Sequence, residues 1–266
     1  MIIRCDREGG AFIEARDKKT GRQLWTASQT DFGQGFSTPF HWIRGKEEEL
    51  VVSGSRWLTS FNPATGAENW RYAGSDYVTT SSPAEGESLL FSAVFNGDAK
   101  EEEGNVFGAS LADFANPAKP EGSKNENAMV AINPRRKGDI TATCLTWKSA
   151  RGVPSASSPV FYKGRLFTVK NDGLVSAYNG KTGEPVFQNE HLNTPGGYCA
   201  SLVAAAGRIY CASENGVITI IDAAADRLVV LARNDISERI IATPALVDRT
   251  IILRTEKFLY AFGEKR

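Results

Sequence analysis

The chain has little of what zinc centres, disulfide frameworks and membrane spans require. It has only two histidines, and none of its four cysteines forms a Cys-x-x-Cys pair, so a structural zinc site is not expected. No apolar run approaches the roughly 20 residues of a membrane-spanning helix. We expect no signal peptide in this chain, because Met1-Ile2-Ile3 enters strand-like sequence at once.

Net charge is also absent. The 31 lysines and arginines equal the 31 aspartates and glutamates among 266 residues. Nothing in this balance favours nucleic acid or an anionic membrane surface, so neither is expected as a partner. The compartment stays open, and we expect a periplasmic or secreted protein only if a full-length chain carries a signal peptide.

Glycine and proline are well represented, with 25 and 11 residues at the edges of short apolar runs. This pattern is typical of many short strands joined by tight turns. One hairpin recurs three times, at Phe12–Trp25, Trp57–Trp70 and Leu174–Phe187. Each copy reads strand, Thr-Gly turn, strand, and the turn glycines are Gly21, Gly66 and Gly183.

A second marker gives the length of the full repeat. A small-residue element, in most copies ending in proline, precedes each hairpin, and its last residues are Pro39, Pro83, Pro159, Leu202 and Pro244. The steps between them are 44, 76, 43 and 42 residues. One repeat therefore carries an insertion, which we place at residues 96–127. Four antiparallel strands, called a to d in chain order, per period of 42–45 residues predict β-propeller blades.

We therefore predict an all-β fold, a single β-propeller domain over residues 1–266 built from four-stranded antiparallel blades. The predicted complete blades are 36–70, 78–147 with the insertion, 155–187 and 198–232, and the partial ones are 1–26 and 240–262. The first blade lacks strand a and the last lacks strand d, so we expect a propeller truncated at its N-terminus. An open arc with an exposed edge strand fits this count, and closure as a strained six-blade ring is the alternative. The insertion is expected to be a solvated excursion, or alternatively a partner-docking loop with one short helix.

The hairpin resembles the PQQ-like (quinoprotein alcohol dehydrogenase-like) repeat. The matching residues are Ala15, Asp17, Thr20-Gly21 and Trp25 in the first copy, Asn62, Thr65-Gly66 and Trp70 in the second, and Ala177, Asn179 and Thr182-Gly183 in the third. The resemblance implies the propeller fold. It does not imply one activity, because the family contains quinone-dependent dehydrogenases, a scaffold lipoprotein of outer-membrane protein assembly, and binding propellers.

The dehydrogenases of this family bind PQQ beside a disulfide between adjacent cysteines, with a calcium ion and a catalytic aspartate. The present chain has no adjacent cysteines, and no calcium shell or catalytic aspartate maps onto it. No catalytic, cofactor-binding or metal residue is predicted, and neither histidine neighbours a G-x-S-x-G elbow. We expect a non-catalytic scaffold without PQQ or calcium. The alternatives are a PQQ-dependent oxidoreductase-like protein and an outer-membrane protein assembly scaffold.

Two groups of residues are singled out. Trp25, Trp70 and Trp147 close the hairpins on the outermost strand, where large rings are expected to fill the gap between blades. The loops between blades and the turns between strands b and c should share one face, where propellers place binding residues. The favoured residues there mix a ring, cations and carboxylates suited to a peptide or polar ligand. They are Arg56, Trp57, Asp76, Arg151 and Asp172. Ordinary solvated turns are the alternative.

Cys199 and Cys211 invite a disulfide assignment, which the expected register argues against. If the hairpin turns at Ala206-Gly207, Cys211 pairs with Leu202 and Cys199 faces Glu214. The two cysteines are therefore predicted not to be bonded.

Overall fold

The computed structural model describes residues 1–6, 11–29, 35–74, 80–94 and 127–263. These residues form 23 β-strands and no helix. The described residues therefore contain no helix that is long and apolar enough to cross a membrane. The chain divides into two compact units, the first of residues 1–83 and 88–148 and the second of residues 84–87 and 149–266.

The strands form six sheets in chain order. The first sheet contains β1 (Ile2–Cys5), β2 (Ala11–Arg16) and β3 (Gln23–Gln29). The second contains β4 (Phe40–Arg44), β5 (Glu47–Ser53), β6 (Trp57–Phe61) and β7 (Glu68–Ala73), with β11 (Gly138–Asp139) added beside β7. The third contains β8 (Ala84–Gly86), β9 (Leu89–Val94), β10 (Ala128–Ile132) and β12 (Leu145–Ser149).

The fourth sheet contains β13 (Val160–Tyr162), β14 (Arg165–Val169), β15 (Leu174–Asn179) and β16 (Pro185–His191). The fifth contains β17 (Val203–Ala205), β18 (Arg208–Ala212), β19 (Val217–Asp222) and β20 (Val230–Asp235). The sixth contains β21 (Ala245–Val247), β22 (Thr250–Arg254) and β23 (Leu259–Gly263). The fourth and fifth sheets are antiparallel throughout. The prediction of an all-β fold with four-stranded antiparallel sheets is confirmed, and the number of blades stays a prediction.

In the fourth and fifth sheets, the turn between strands a and b has two central residues with positive φ. Lys163 and Gly164 have φ of 49° and 82°, and Ala206 and Gly207 have 49° and 77°. Positive φ at both central residues matches the twist of the flanking strands. The sequence predicts two-residue turns at Lys163-Gly164 and at Ala206-Gly207, and both are confirmed. Val203 pairs with Tyr210 in the predicted register.

Strand a is shorter than predicted, because its first residues bond through side chains. In the fourth sheet the run Ser157-Ser158-Pro159-Val160-Phe161-Tyr162 predicts strand a, but β13 begins only at Val160. Pro159 has no N–H to donate to a ladder. Ser157 instead donates its hydroxyl to the Val169 carbonyl at 2.8 Å. Ser37 does the same in the second sheet, to Ser53, also at 2.8 Å.

Within each unit, hydroxyl hydrogen bonds link neighbouring repeats at this element. The Thr38 N–H donates to Ser82 Oγ at 2.9 Å in the first unit. In the second unit the Ser158 N–H donates to Ser201 Oγ at 2.9 Å, and the Ser201 N–H donates to Thr243 Oγ1 at 3.0 Å. The recurring serine or threonine before the last residue of the element therefore satisfies a backbone donor of the preceding repeat.

The second sheet has five strands, one more than the predicted four. The turn after β10 lacks the Thr-Gly pair and runs from Asn133 to Cys144, whose carbonyl accepts the Asn133 N–H at 2.8 Å. Within this turn β11 lies parallel to β7, with Gly138 opposite Trp70. The long turn of one repeat thus adds an outer strand to the sheet before it.

The closing tryptophan of the first hairpin packs against the second sheet. Trp25 is 9% exposed and lies in a core cluster with Ile13 and Phe61. Its indole Nε1 donates to the Pro63 carbonyl at 2.9 Å. A Cβ built on Gly66 would lie 2.5 Å from the Trp25 ring, so that glycine allows the ring to approach the turn.

Candidate functional site

In the second unit, the loops between sheets and the turns between strands b and c are joined by backbone hydrogen bonds. We call this surface the loop face and define it as residues 171–173, 196–199, 214–216, 238–240 and 255–257. The bonds run from Tyr198 N to Asn171 O, from Glu214 N to Gly197 O, from Ile240 N to Glu214 O and from Glu256 N to Arg239 O, at 3.1, 2.8, 3.3 and 3.0 Å. Each turn is therefore held by a neighbouring loop.

Glu214 is the centre of the polar contacts on the loop face. The Cys199 thiol donates to Glu214 Oε1 at 2.9 Å, and Arg239 Nη2 lies 3.0 Å from Glu214 Oε2. Burial acts to raise the pKa of Glu214, but the hydrogen bonds from Cys199 and Arg239 outweigh it and lower the pKa. The carboxylate is thus ionised at neutral pH and fixed between a thiol and a guanidinium.

The same contact makes Cys199 a poor nucleophile. Burial, together with the hydrogen bond to Glu214, raises the pKa of Cys199 to about 12. Because the thiolate is the reactive form, this thiol is a hydrogen-bond donor at neutral pH. All four cysteines are free, as predicted for Cys199 and Cys211, and Cys199 faces Glu214 as the register required.

Glu238 anchors the next loop of the face. Its two carboxylate oxygens accept hydrogen bonds from the Thr255 hydroxyl at 2.6 Å and the Tyr260 hydroxyl at 2.9 Å. The loop before the sixth sheet is thereby tied to β23 and to the turn that precedes it. The exposed side chains left on this part of the face are those of Arg239, Glu256 and Lys257.

Two of the five predicted site residues lie in the first unit. Arg56 is exposed and Trp57 is half-buried, at the turn between β5 and β6. The Arg71 guanidinium lies over the Trp57 ring, 4.7 Å from its centroid. Asp76 lies outside the described residues, as does the predicted insertion apart from Asn127.

Two more lie in the second unit and make local contacts. Arg151 is exposed, and its carbonyl accepts the Tyr178 hydroxyl at 2.5 Å. Asp172 is exposed and accepts the Leu174 N–H at 3.2 Å within its own turn, with Lys170 Nζ at 3.8 Å. The described members of the predicted set are therefore divided between the two units, and their joint role stays a prediction.

A second candidate site is a cavity of about 710 Å³ in the first unit. It lies between the turn joining β4 to β5, the outer strand β7 and the turn that leads to β11. Its lining is mostly polar and charged, and comprises Arg44, Lys46, Glu47, Glu48, Glu49, Asn62, Asn69, Trp70, Pro134, Arg135, Arg136 and Lys137. We call it the β7 cavity.

Glu49 is a buried carboxylate in the wall of the β7 cavity, with an exposure of 5%. Its Oε2 accepts the Ser60 hydroxyl at 2.6 Å and the Trp70 indole Nε1 at 2.5 Å, and its Oε1 accepts a hydrogen bond from Arg44. Arg44 Nη1 also donates to the Pro134 carbonyl at 2.8 Å. This hydrogen-bond network was not predicted from the sequence, in which Trp70 was expected only to pack between blades.

Among the residues that the structure describes, the contacts of the two histidines do not include a serine or cysteine nucleophile. His41 Nε2 lies 3.2 Å from Glu48 Oε2, and His191 Nδ1 accepts the Asn193 N–H at 2.8 Å. Across the described ranges there is no group of three or more histidine, cysteine, aspartate or glutamate side chains able to hold a metal ion.

The sheets define an all-β protein whose four-stranded antiparallel units are consistent with propeller blades. No protein-family model matches the chain, and no curated protein does. Among solved structures it is similar to the computationally designed Ika8 protein, with 12% identity and a TM-score of 0.62 over 98% of this chain and 70% of that one. A chain of the Mitotic Checkpoint Complex, a propeller-like neighbour, has 10% identity and a TM-score of 0.62 over 99% and 73%.

BamB from Moraxella catarrhalis also matches, with 12% identity and a TM-score of 0.47 over 95% of this chain and 77% of that one. At identities this low, the likeness to the designed protein and to the checkpoint-complex chain concerns the fold alone.

Proposed function

We propose that this chain is a non-catalytic PQQ-like β-propeller that acts as a scaffold and binds a protein or a polar ligand on its loop face. The observation that carries the proposal is the set of hydrogen bonds joining the turns and loops of the second unit. Binding residues on loops are effective when a rigid scaffold positions them.

The chemistry of the loop face supports a polar or peptide partner. Arg239, Glu256, Lys257 and Asp172 are all exposed on the loop face, so both signs of charge are present. Arg239 is held by Glu214 at 3.0 Å, which limits the conformational freedom that its guanidinium would lose on binding. Arg56, Trp57, Asp76 and Arg151 remain proposed as binding residues.

The assignment to the PQQ-like repeat family is supported by three matching turns. The side-chain oxygen of Asp17 accepts the N–H groups two and three residues later, and Asn62 and Asn179 do the same in their turns. The glycine that ends each turn has a φ of 72° to 75°. A side-chain acceptor and a glycine with positive φ explain the Asp/Asn-x-x-Thr-Gly spacing.

The proposal includes neither PQQ nor calcium, because the chain lacks the adjacent cysteines of the quinone-dependent members. A PQQ-dependent oxidoreductase-like protein is the alternative. Addition of PQQ and Ca²⁺ tests it, with protein-bound quinone absorbance and dye-linked alcohol oxidation as readouts. We expect neither, and a clear signal in both would overturn the non-catalytic assignment. Co-purification with a barrel-assembly complex would support an outer-membrane assembly scaffold.

The loop face itself can be tested with a photo-crosslinking residue at Lys257. A matched control position is Lys163, which is exposed on the turn between β13 and β14, at the other end of the strands. We expect discrete adducts in the source cell at position 257 that are lost in the Arg239→Glu variant. Equal adducts at both positions, or none at position 257, would contradict the proposed binding face.

A further inference from the structure

The carboxylates of the β7 cavity are already engaged. Glu49 accepts hydrogen bonds from Ser60, Trp70 and Arg44. Glu47 lies 3.5 Å from Arg44, and Glu48 lies 3.2 Å from His41. Each of the three carboxylates of the wall therefore already has a partner among Arg44, His41, Ser60 and Trp70.

The exposed cations of the β7 cavity are not engaged in this way. Lys46, Arg135, Arg136 and Lys137 line the cavity and are exposed. Within the described part of the chain, none of the four has an ion pair or a side-chain hydrogen bond. The lining as a whole has five lysines and arginines against three glutamates, which leaves a surplus of two positive charges.

The turn that carries three of these cations is held in place. Arg44 donates to the Pro134 carbonyl at 2.8 Å just before them, and β11 pairs with β7 just after them. Asp139 on β11 accepts hydrogen bonds from the Thr141 hydroxyl at 2.6 Å and the Thr141 N–H at 3.0 Å. Cations on an anchored turn form a more specific site than cations on a free loop.

The cavity also offers a neutral donor. The amide oxygen of Asn62 accepts the N–H groups of Ala64 and Thr65 at 2.9 and 3.2 Å, which orients the side chain. Its amide nitrogen has no acceptor within the described residues, and Asn62 lines the cavity. Oriented N–H donors beside arginines suit phosphate or carboxylate oxygens.

We propose that the β7 cavity binds a small, multiply charged anion whose phosphate or carboxylate groups pair with Lys46 and residues 135–137. The volume of about 710 Å³ lies within the range of small-molecule sites. The positive charge comes from lysine and arginine side chains without an ion pair. The planar guanidinium of arginine binds both phosphate and carboxylate groups in a bidentate manner. The inference is independent of the scaffold function, because no residue of the loop face takes part in it.

The test uses tripolyphosphate and citrate as probes, titrated calorimetrically into the full chain at constant ionic strength. We expect saturable binding of at least one probe at one site, weakening as salt is added. The Arg135→Ala/Arg136→Ala/Lys137→Ala variant should bind about tenfold or more weakly, because three charge pairs are lost. Lys46→Ala, on another element, should weaken binding by about threefold.

The chain offers a matched control. Lys18, Lys19 and Arg22 are exposed cations on the turn between β2 and β3, and they do not line the cavity. Their triple alanine variant carries the same change in net charge and should bind within about twofold of the parent chain. Tighter binding of tripolyphosphate than of citrate identifies a phosphate ligand, and the reverse identifies a carboxylate, both in support of the proposal.

Three outcomes would overturn it. The first is that neither probe binds the parent chain, and the second is that the control variant loses as much affinity as the cavity variant. The third is that an octaglutamate peptide binds more tightly than both probes, which would make the ligand a macromolecule. Unfolding curves of all variants without ligand separate lost binding from lost folding, because the substituted side chains are exposed.

Discussion

The inter-sheet contact of Trp25 can be tested through one methyl group at Gly66. Gly66 and Gly21 occupy the same place in two copies of the turn, with φ of 75° and 72°. A Cβ on Gly66 would lie 2.5 and 2.8 Å from atoms of the Trp25 ring, whereas a Cβ on Gly21 would meet nothing within 4 Å. The two glycine-to-alanine changes therefore differ in the contact and share the backbone term.

The expected free energies follow from these two terms. Alanine in the left-handed region costs about 1–2 kcal/mol, which is the whole effect expected at Gly21. Inserting a methyl group into a packed contact costs about 1–3 kcal/mol more. Gly66→Ala should thus lower the free energy of unfolding by about 2–5 kcal/mol, and the difference between the two variants should be about 1–3 kcal/mol.

Urea unfolding followed by tryptophan fluorescence measures this difference. All five tryptophans lie between Trp25 and Trp147, within the first unit, so their fluorescence reports on the unit that is perturbed. In a Trp25→Leu background the extra penalty of Gly66→Ala should shrink, because the ring that the methyl group meets is gone. Equal shifts for Gly21→Ala and Gly66→Ala would refute the role assigned to the contact.

Three further outcomes are expected. Glu49→Ala should destabilise the chain by about 3–5 kcal/mol in urea unfolding, because it leaves buried donors unpaired, while exposed Glu48→Ala should stay within about 0.5 kcal/mol. Burial raises the pKa of Cys211 to about 12 from 9.0, so the folded state keeps a proton that the unfolded chain loses. Stability should fall as the pH rises from 9 towards 12, and less steeply in Cys211→Ala. Ser201→Ala removes the acceptor of the Ser158 N–H and should lower the free energy of unfolding by about 0.5–1.5 kcal/mol.

Much of the fold could be predicted because the turn residues of each repeat fix which residues of neighbouring strands pair. Turns with a glycine at positive φ mark where each hairpin reverses, and counting from Ala206-Gly207 placed Cys199 opposite Glu214. The length of the repeat was also visible in the sequence, from the spacing between the element ending at Pro39 and its later copies. Its physical basis, a hydroxyl in one repeat accepting a backbone N–H of another, could not be read from a single copy.

The exceptions are features that depend on contacts between distant segments. Strand β11 has two residues and no alternation of apolar side chains, so nothing local distinguishes it from a loop. Glu49 is the last of three consecutive glutamates, and only the pairing of β5 with its neighbours decides which carboxylate faces Ser60 and Trp70.

For the loop face, topology predicted which turns and loops come together, but not which side chains touch. Sequence reasoning favoured Asp172, which caps its own turn, and passed over Arg239, which is bound to Glu214. Both are charged residues on exposed turns, and only the three-dimensional contact separates them.

The placement of β11 has a consequence for synthesis on the ribosome. The segment that covers β7 follows it in the chain, with Thr141 lying 68 residues after its hydrogen-bond partner Ala73. At about 5–20 residues per second, roughly 3–14 s pass before that segment has been made. During this interval the outer edge of β7 is an unpaired strand on a nascent chain, a kind of edge that pairs readily with other chains. Translation speed across residues 74–141 should therefore influence how much newly made protein aggregates.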